Sequence, residues 1–130
     1  MNKAADFLRD AGVFYIATTD GDQARVRPFG GVFEFDGGVY IVSDKQKDVV
    51  KQILANPKVE IACTNADGEW MRITACAVID DRPEVKEWAL DESPFLRKLH
   101  TVDDPNFACI RLTGAKCKLV GGLGTEEFEF

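Results

Sequence analysis

Histidine is almost missing from this chain: His100 is the one imidazole in 130 residues. A site that needs two imidazoles on one metal therefore cannot be built within one chain. Cysteine is sparse and scattered. Cys63, Cys76, Cys109 and Cys117 include no CxxC pair and no Cys/His spacing suited to zinc. All four stand in apolar, strand-like runs and are expected as reduced core residues. No apolar run approaches the ~20 residues of a membrane-spanning helix. The segment from Met1 to Asp6 lacks the apolar stretch of a signal peptide. The expectation is a cytoplasmic chain with no membrane partner. Positive charge is also short: 16 Lys and Arg stand against 22 Asp and Glu, a net charge of −6. That balance argues against general binding of nucleic acid. Repeats, low-complexity runs and linkers are absent too, so residues 1–130 read as a single domain.

What the chain does have is β-branched and aromatic runs punctuated by turns. Val13 to Thr18, Ala24 to Phe29, Val32 to Phe35, Val39 to Val42, Val59 to Thr64, Trp70 to Ile79 and Phe107 to Val120 read as strands. Thr19-Asp20-Gly21-Asp22, Asp36-Gly37-Gly38 and Asn65-Ala66-Asp67-Gly68 read as hairpin turns. Asn2 to Ala11 predicts a short helix stopped by Gly12. Lys45 to Ala55 predicts the clearest one, capped by Ser43 and Gln46, with Val49, Val50, Ile53 and Leu54 as its buried face. Pro83 to Leu90 and Pro94 to His100 predict two shorter helical pieces, the second capped by Ser93. The tail after Gly121 is expected to stay flexible unless something orders it. The class is mainly β (α+β), with six or so strands in hairpins forming a small closed or half-closed barrel.

Charge is distributed unevenly over this frame. Residues 23–58 hold six Lys and Arg against four Asp and Glu, whereas the remainder is strongly acidic. Within that island, Arg25 and Arg27 alternate with Val26 on one extended segment and point the same way. Pro28 then removes a ladder donor and Gly30-Gly31 loosens the backbone. Ser43, Lys45 and Lys47 follow near a helix start, which suits an anion. The pattern suggests a phosphate held by guanidinium, ammonium and backbone N–H groups, with a flat polar body along the strand edge.

In order and spacing these segments resemble the FMN-binding split-barrel proteins, the pyridoxamine 5′-phosphate oxidase-like family. The resemblance rests on the Arg25 segment, on Val39-Tyr40-Ile41-Val42-Ser43 with Lys47, and on Trp70-Met71-Arg72-Ile73. It implies a six-stranded split β-barrel with a few short helices. It also implies FMN as cofactor, and a homodimer with FMN at the interface. Arg25 and Lys47 then hold the FMN phosphate, with Ser43 beside it and Lys45 or Lys51 supplying the charge of an arginine the family often carries. Val26, Arg27, Pro28 and Phe29 run beneath the flavin ring, and Tyr40, Ile41 and Val42 line the ribityl side. Trp70 stands where the family often has a glutamine at the flavin's polar edge, and Gly30 where it has a flavin-contacting lysine. With no Arg-x-His pair in view, vitamin B6 oxidase activity itself does not carry over.

The implied function is an FMN-dependent oxidoreductase that passes electrons from NADH, NADPH or a protein donor to a small-molecule acceptor. The alternative is a flavin-binding carrier, store or sensor without a substrate of its own. Haem or a deazaflavin in place of FMN is a third possibility, and for haem only His100 offers a ring nitrogen.

Overall fold

In the computed structural model, which describes residues 2–130, short turns fold the chain into successive antiparallel pairs. Helix α1 (Lys3–Ala11) starts at Asn2, whose side chain accepts a hydrogen bond from the Ala5 amide at 3.0 Å. Strands β1 (Val13–Asp20) and β2 (Gln23–Gly30) then pair along their full lengths. Between β3 (Phe33–Phe35) and β4 (Gly38–Asp44), Asp36 and Gly37 both take positive φ, at 49° and 77°. That is the conformation a tight two-residue hairpin demands and Asp-Gly supplies. Helix α2 (Asp48–Ala55), strands β5 (Lys58–Thr64) and β6 (Trp70–Ile79) and helix α3 (Pro83–Glu92) follow. A 3₁₀ turn (Pro94–Lys98), strand β7 (Phe107–Gly121) and strand β8 (Gly124–Glu129) complete the chain.

The sheet order is β2-β1-β5-β6-β7-β4-β3, with β8 added on β7. The long strand β7 makes this a split, unclosed barrel. One of its edges follows β6 from Ile110 to Val120. Its other edge pairs first with β4, over Phe107 to Leu112, and then with β8, over Lys116 to Gly121. The fork between those partners contains Gly114 at φ 56°, a backbone state that a side chain disfavours. Mainly antiparallel architecture with a few helices is thus what the residues predict; the structure has eight strands, seven of them at the runs read from the sequence. The extra strand is the tail itself: Glu126 to Phe130 is ordered by pairing with β7, where Phe130 and Ala115 exchange backbone bonds of 3.0 and 2.9 Å.

Two apolar clusters support the sheet. The larger fills the barrel with Phe14, Ile16, Ile41, Val50, Ile61, Ile73 and Ile110, among others. The smaller joins Phe33, Tyr40, Phe107 and Cys109 to Val85, Ala89, Leu90 and Leu96 from α3 and the 3₁₀ turn. No helix among the described residues is long and apolar enough to cross a membrane.

Several local expectations need correction. Helix α2 begins at Asp48, not Lys45, because Lys47 is extended (φ −79°, ψ 147°) and acts as the N-cap. The expected Ser43/Gln46 capping box does not form, since Ser43 is still paired within β4, opposite Ala108. Asp44 shapes the approach instead, accepting the Gln46 amide on Oδ1 at 2.7 Å and the Lys47 amide on its carbonyl at 3.0 Å. Ser93 makes no capping hydrogen bond either. Leu54 is exposed rather than buried, and Cys76 faces solvent while the other three cysteines are buried.

Candidate functional site

The end of β2, the end of β4, the start of α2 and the 3₁₀ turn surround a groove of about 520 Å³. Its size lies within the range of small-molecule sites. Strand β2 contributes Arg27, Pro28, Phe29 and Gly30, and β4 contributes Val42, Ser43 and Asp44. Lys47 and Val49 come from the start of α2. The opposite wall is apolar, with Phe95, Leu96, Leu99 and Phe107, and carries His100. Its lining draws on both apolar clusters, Phe29 and Val49 from the larger and Val42, Leu96 and Phe107 from the smaller. Strand β2 is an edge of the sheet with β1 as its one neighbour, and Pro28 lies on it. Its outer side therefore keeps main-chain polar groups available to a ligand.

The two ends of the groove differ chemically. At the polar end, neither the Lys47 ammonium nor the Ser43 hydroxyl has a hydrogen-bond partner among the described residues. The first turn of α2 likewise receives no side-chain cap. The Val50 N–H is taken by the Lys47 carbonyl at 3.1 Å, and the Asp48 and Val49 N–H groups, a hydroxyl and a cation together form an anion-binding set. Arg27 stands beside it but is committed. One of its terminal nitrogens donates to Thr18 Oγ1 at 2.7 Å and to the Ile16 carbonyl at 3.3 Å. The other donates to Gln52 Oε1 at 2.7 Å. Burial holds this guanidinium below its ordinary value, the nearby Asp48 carboxylate counteracts that, and Arg25 adds to the lowering. Arg27 thus ties β2 to β1 and α2, presenting a fixed positive wall more than a mobile ligand.

At the apolar end, the His100 ring stacks on Phe107 with centroids 4.7 Å apart and planes 16° apart. Its Nδ1 meets Asp104 Oδ2 at 2.7 Å. That carboxyl is held below the usual range, chiefly by the His100 hydrogen bond and then by the Asn106 amide.

Six of the twelve candidate residues line this groove: Arg27, Pro28, Phe29, Val42, Ser43 and Lys47. The side chains of the other six lie elsewhere. Arg25 Nε donates to Asp20 Oδ2 at 3.2 Å, beside the β1–β2 turn. Lys51 borders a separate depression of about 320 Å³ shared with Thr19, Asp20 and Gln52. Val26 is 67% exposed on the opposite face of β2. Tyr40 is fully buried and donates to Asp80 Oδ2 at 2.8 Å, and Ile41 is fully buried in the barrel. Trp70 pairs with Val120 at the far end of β6, with the Arg72 guanidinium 5.5 Å from its ring. Sequence reasoning missed the wall made by Phe95, Leu96, Leu99, His100 and Phe107. Pro94 to His100 reads as a short helical piece, but nothing local shows that Phe107 would bring it against β4.

A protein-family model described as pyridoxamine 5′-phosphate oxidase matches residues 1–121. Among solved structures, a NimC/NimA family protein from Clostridium acetobutylicum is 46% identical. The match covers 98% of this chain and 90% of that one, with a TM-score of 0.95. General Stress Protein 26 from Bacillus anthracis shares the fold at 17% identity and TM-score 0.77, over 96% of this chain and 94% of its own. A heme binding protein from Mycobacterium smegmatis also shares it, at 15% identity and TM-score 0.74, over 99% of this chain and 59% of that one. No curated protein matches the sequence.

Proposed function

The chain belongs to the pyridoxamine 5′-phosphate oxidase family, and from that membership we propose that it is an FMN-dependent oxidoreductase acting on a small acceptor, with the groove as its cofactor site. The observation that carries this reading is the uncommitted set at the polar end: Lys47, Ser43 and the uncapped start of α2, in a protein of net charge −6. These groups suit the FMN phosphate, because an ammonium and oriented N–H donors stabilise a dianion at a helix start. Arg25 and Lys51 lie on the flanking surface, where Asp20 pairs with Arg25 and borders the depression of Lys51. The backbone of residues 26–29 would take the flavin's polar edge. When bound, FMN supplies the electron transfer, while the chain supplies binding, orientation and charge.

A homodimer completes this proposal. Val13, Tyr15 and Val26 are each at least half exposed and share the face of β1 and β2 away from the barrel core. Pro28 sits opposite Tyr15 in the same register. An apolar face of that kind fits a second copy packed against the edge that carries the cofactor.

Haem is the second reading, favoured by His100, whose ring lines the groove and whose Nδ1 is already held by a carboxylate. The absorbance of purified protein separates the two: flavin bands support the first reading, and a Soret band without flavin overturns it. Anaerobic mixing with NADH or NADPH then tests catalysis. Bleaching of the flavin is the expected result. A flavin that neither nucleotide reduces marks a carrier or store.

A further inference from the structure

The wall of the groove opposite Lys47 is almost wholly apolar, yet it contains one titratable ring. The His100 side chain is 12% exposed. Its Nδ1 is taken by Asp104, and its Nε2 has no partner among the described residues. No buried side-chain nitrogen or oxygen among the described residues is left unpartnered, so Nε2 is not sealed from solvent, and the ring it belongs to lines the groove. We propose that His100 Nε2, oriented by Asp104, is the recognition group for a flat aromatic or quinone-type acceptor bearing a ring oxygen, seated against Phe95, Leu96 and Leu99.

This rests on the groove being the ligand site and adds to it the class of acceptor. The aromatic and aliphatic wall stabilises an apolar body, and a ring compound gains from contact with aromatic side chains. A charged acceptor would leave its charge desolvated against that wall. With Nδ1–H committed to Asp104, Nε2 accepts a hydrogen bond when the ring is neutral and donates one when it is protonated. The same atom therefore serves a carbonyl oxygen at low pH and a hydroxyl at higher pH. A quinone that takes two electrons from the reduced flavin of the proposed function and two protons from solvent becomes a hydroquinone, so a group that meets both the carbonyl and the hydroxyl suits a compound reduced in place.

The charged groups around the ring are few. Asp104 contacts it directly, and Lys86 from α3 donates to the Asp104 carbonyl at 3.3 Å with Asp81 3.8 Å from its ammonium. Asp44 and Lys47 stand on the groove's other walls.

The test uses two uncharged probes on the purified full chain: 1,4-naphthoquinone, which only accepts hydrogen bonds, and 1-naphthol, which also donates. Affinities are measured by calorimetry between about pH 5 and 8, the range in which imidazoles titrate. Naphthoquinone should bind more tightly at the acid end and naphthol at the neutral end. Each should change by about tenfold, the size of one hydrogen bond to a charged group. The single histidine's proton resonances should move with each probe. H100F, which keeps a ring on Phe107, should remove both pH dependences. Should wild-type protein bind both probes with no opposed pH dependence, the proposal fails whether or not the variants fold. Normal FMN binding alongside that failure would leave the cofactor reading standing. Opposed pH dependences without FMN binding would do the reverse.

Discussion

Three side chains, two on the groove and one beside Tyr40, have separable tasks. Lys47 makes no ion pair among the described residues, so Lys47→Ala should leave folding nearly unchanged. It should weaken FMN by about 1.5–3 kcal/mol, the range for a hydrogen bond to a charged group, as read by flavin fluorescence titration. Arg27 is the opposite case, because its fork is spent on Thr18, Gln52 and the Ile16 carbonyl. Arg27→Met should lower unfolding stability by about 1.5–3 kcal/mol in a urea titration, since charged hydrogen bonds to a half-buried network are lost. Asp80 is the third. Arg82 holds its carboxyl below the ordinary value, and the Tyr40 hydroxyl adds to that against the opposing effect of burial. A depressed carboxylate contributes stability that is present above its unfolded value, near pH 4, and lost as pH falls through the folded one. The gap between wild type and Asp80→Asn in urea midpoint should therefore be open at neutral pH and close on acidification. A gap that is constant with pH would contradict this role.

Strands and helices show why some of this was legible and some was not. Hairpins announce themselves locally: Asp36-Gly37 specifies its own tight turn, and the alternation through Val59 to Thr64 specifies its buried face. The start of α2 was misplaced because Ser43 satisfies a capping motif while its backbone is committed to β7. Tertiary pairing overrode the local signal. The cysteines divide for a related reason. Cys63, Cys109 and Cys117 point into the clusters, and burial pushes their thiols up to about 11, 12 and 11. Cys76 lies next to the register shift in β6, facing solvent. At pH 8 a thiol reagent such as Ellman's should titrate one group in the native protein and four after denaturation. Four rapid equivalents in the native state would contradict this packing.

The whole molecule sets what no single segment contains. Lys47 and Ser43 were readable because charge and a helix start lie close together in the chain. The apolar wall was not, because Phe95 to His100 reaches β4 only through Phe107 and the smaller cluster. Tyr40 and Ile41 sit in a strand that borders the groove, yet their side chains belong to the two cores. The proposed second copy also belongs to this level. Replacing Tyr15 and Val26 together by Glu should convert a dimer to a monomer in light scattering, with the fold retained by circular dichroism. A wild-type protein that is already monomeric would remove the interface.

The claim on which the rest depends is that Lys47, Ser43 and the start of α2 bind the terminal phosphate of FMN. Comparing FMN with riboflavin, which lacks only that phosphate, isolates this contact. Calorimetric titration of cofactor-free protein should give FMN an advantage of about tenfold or more. Most of it should vanish in Lys47→Ala and in 1 M salt, which screens charge. Equal affinity for the two flavins in wild-type protein would contradict the account.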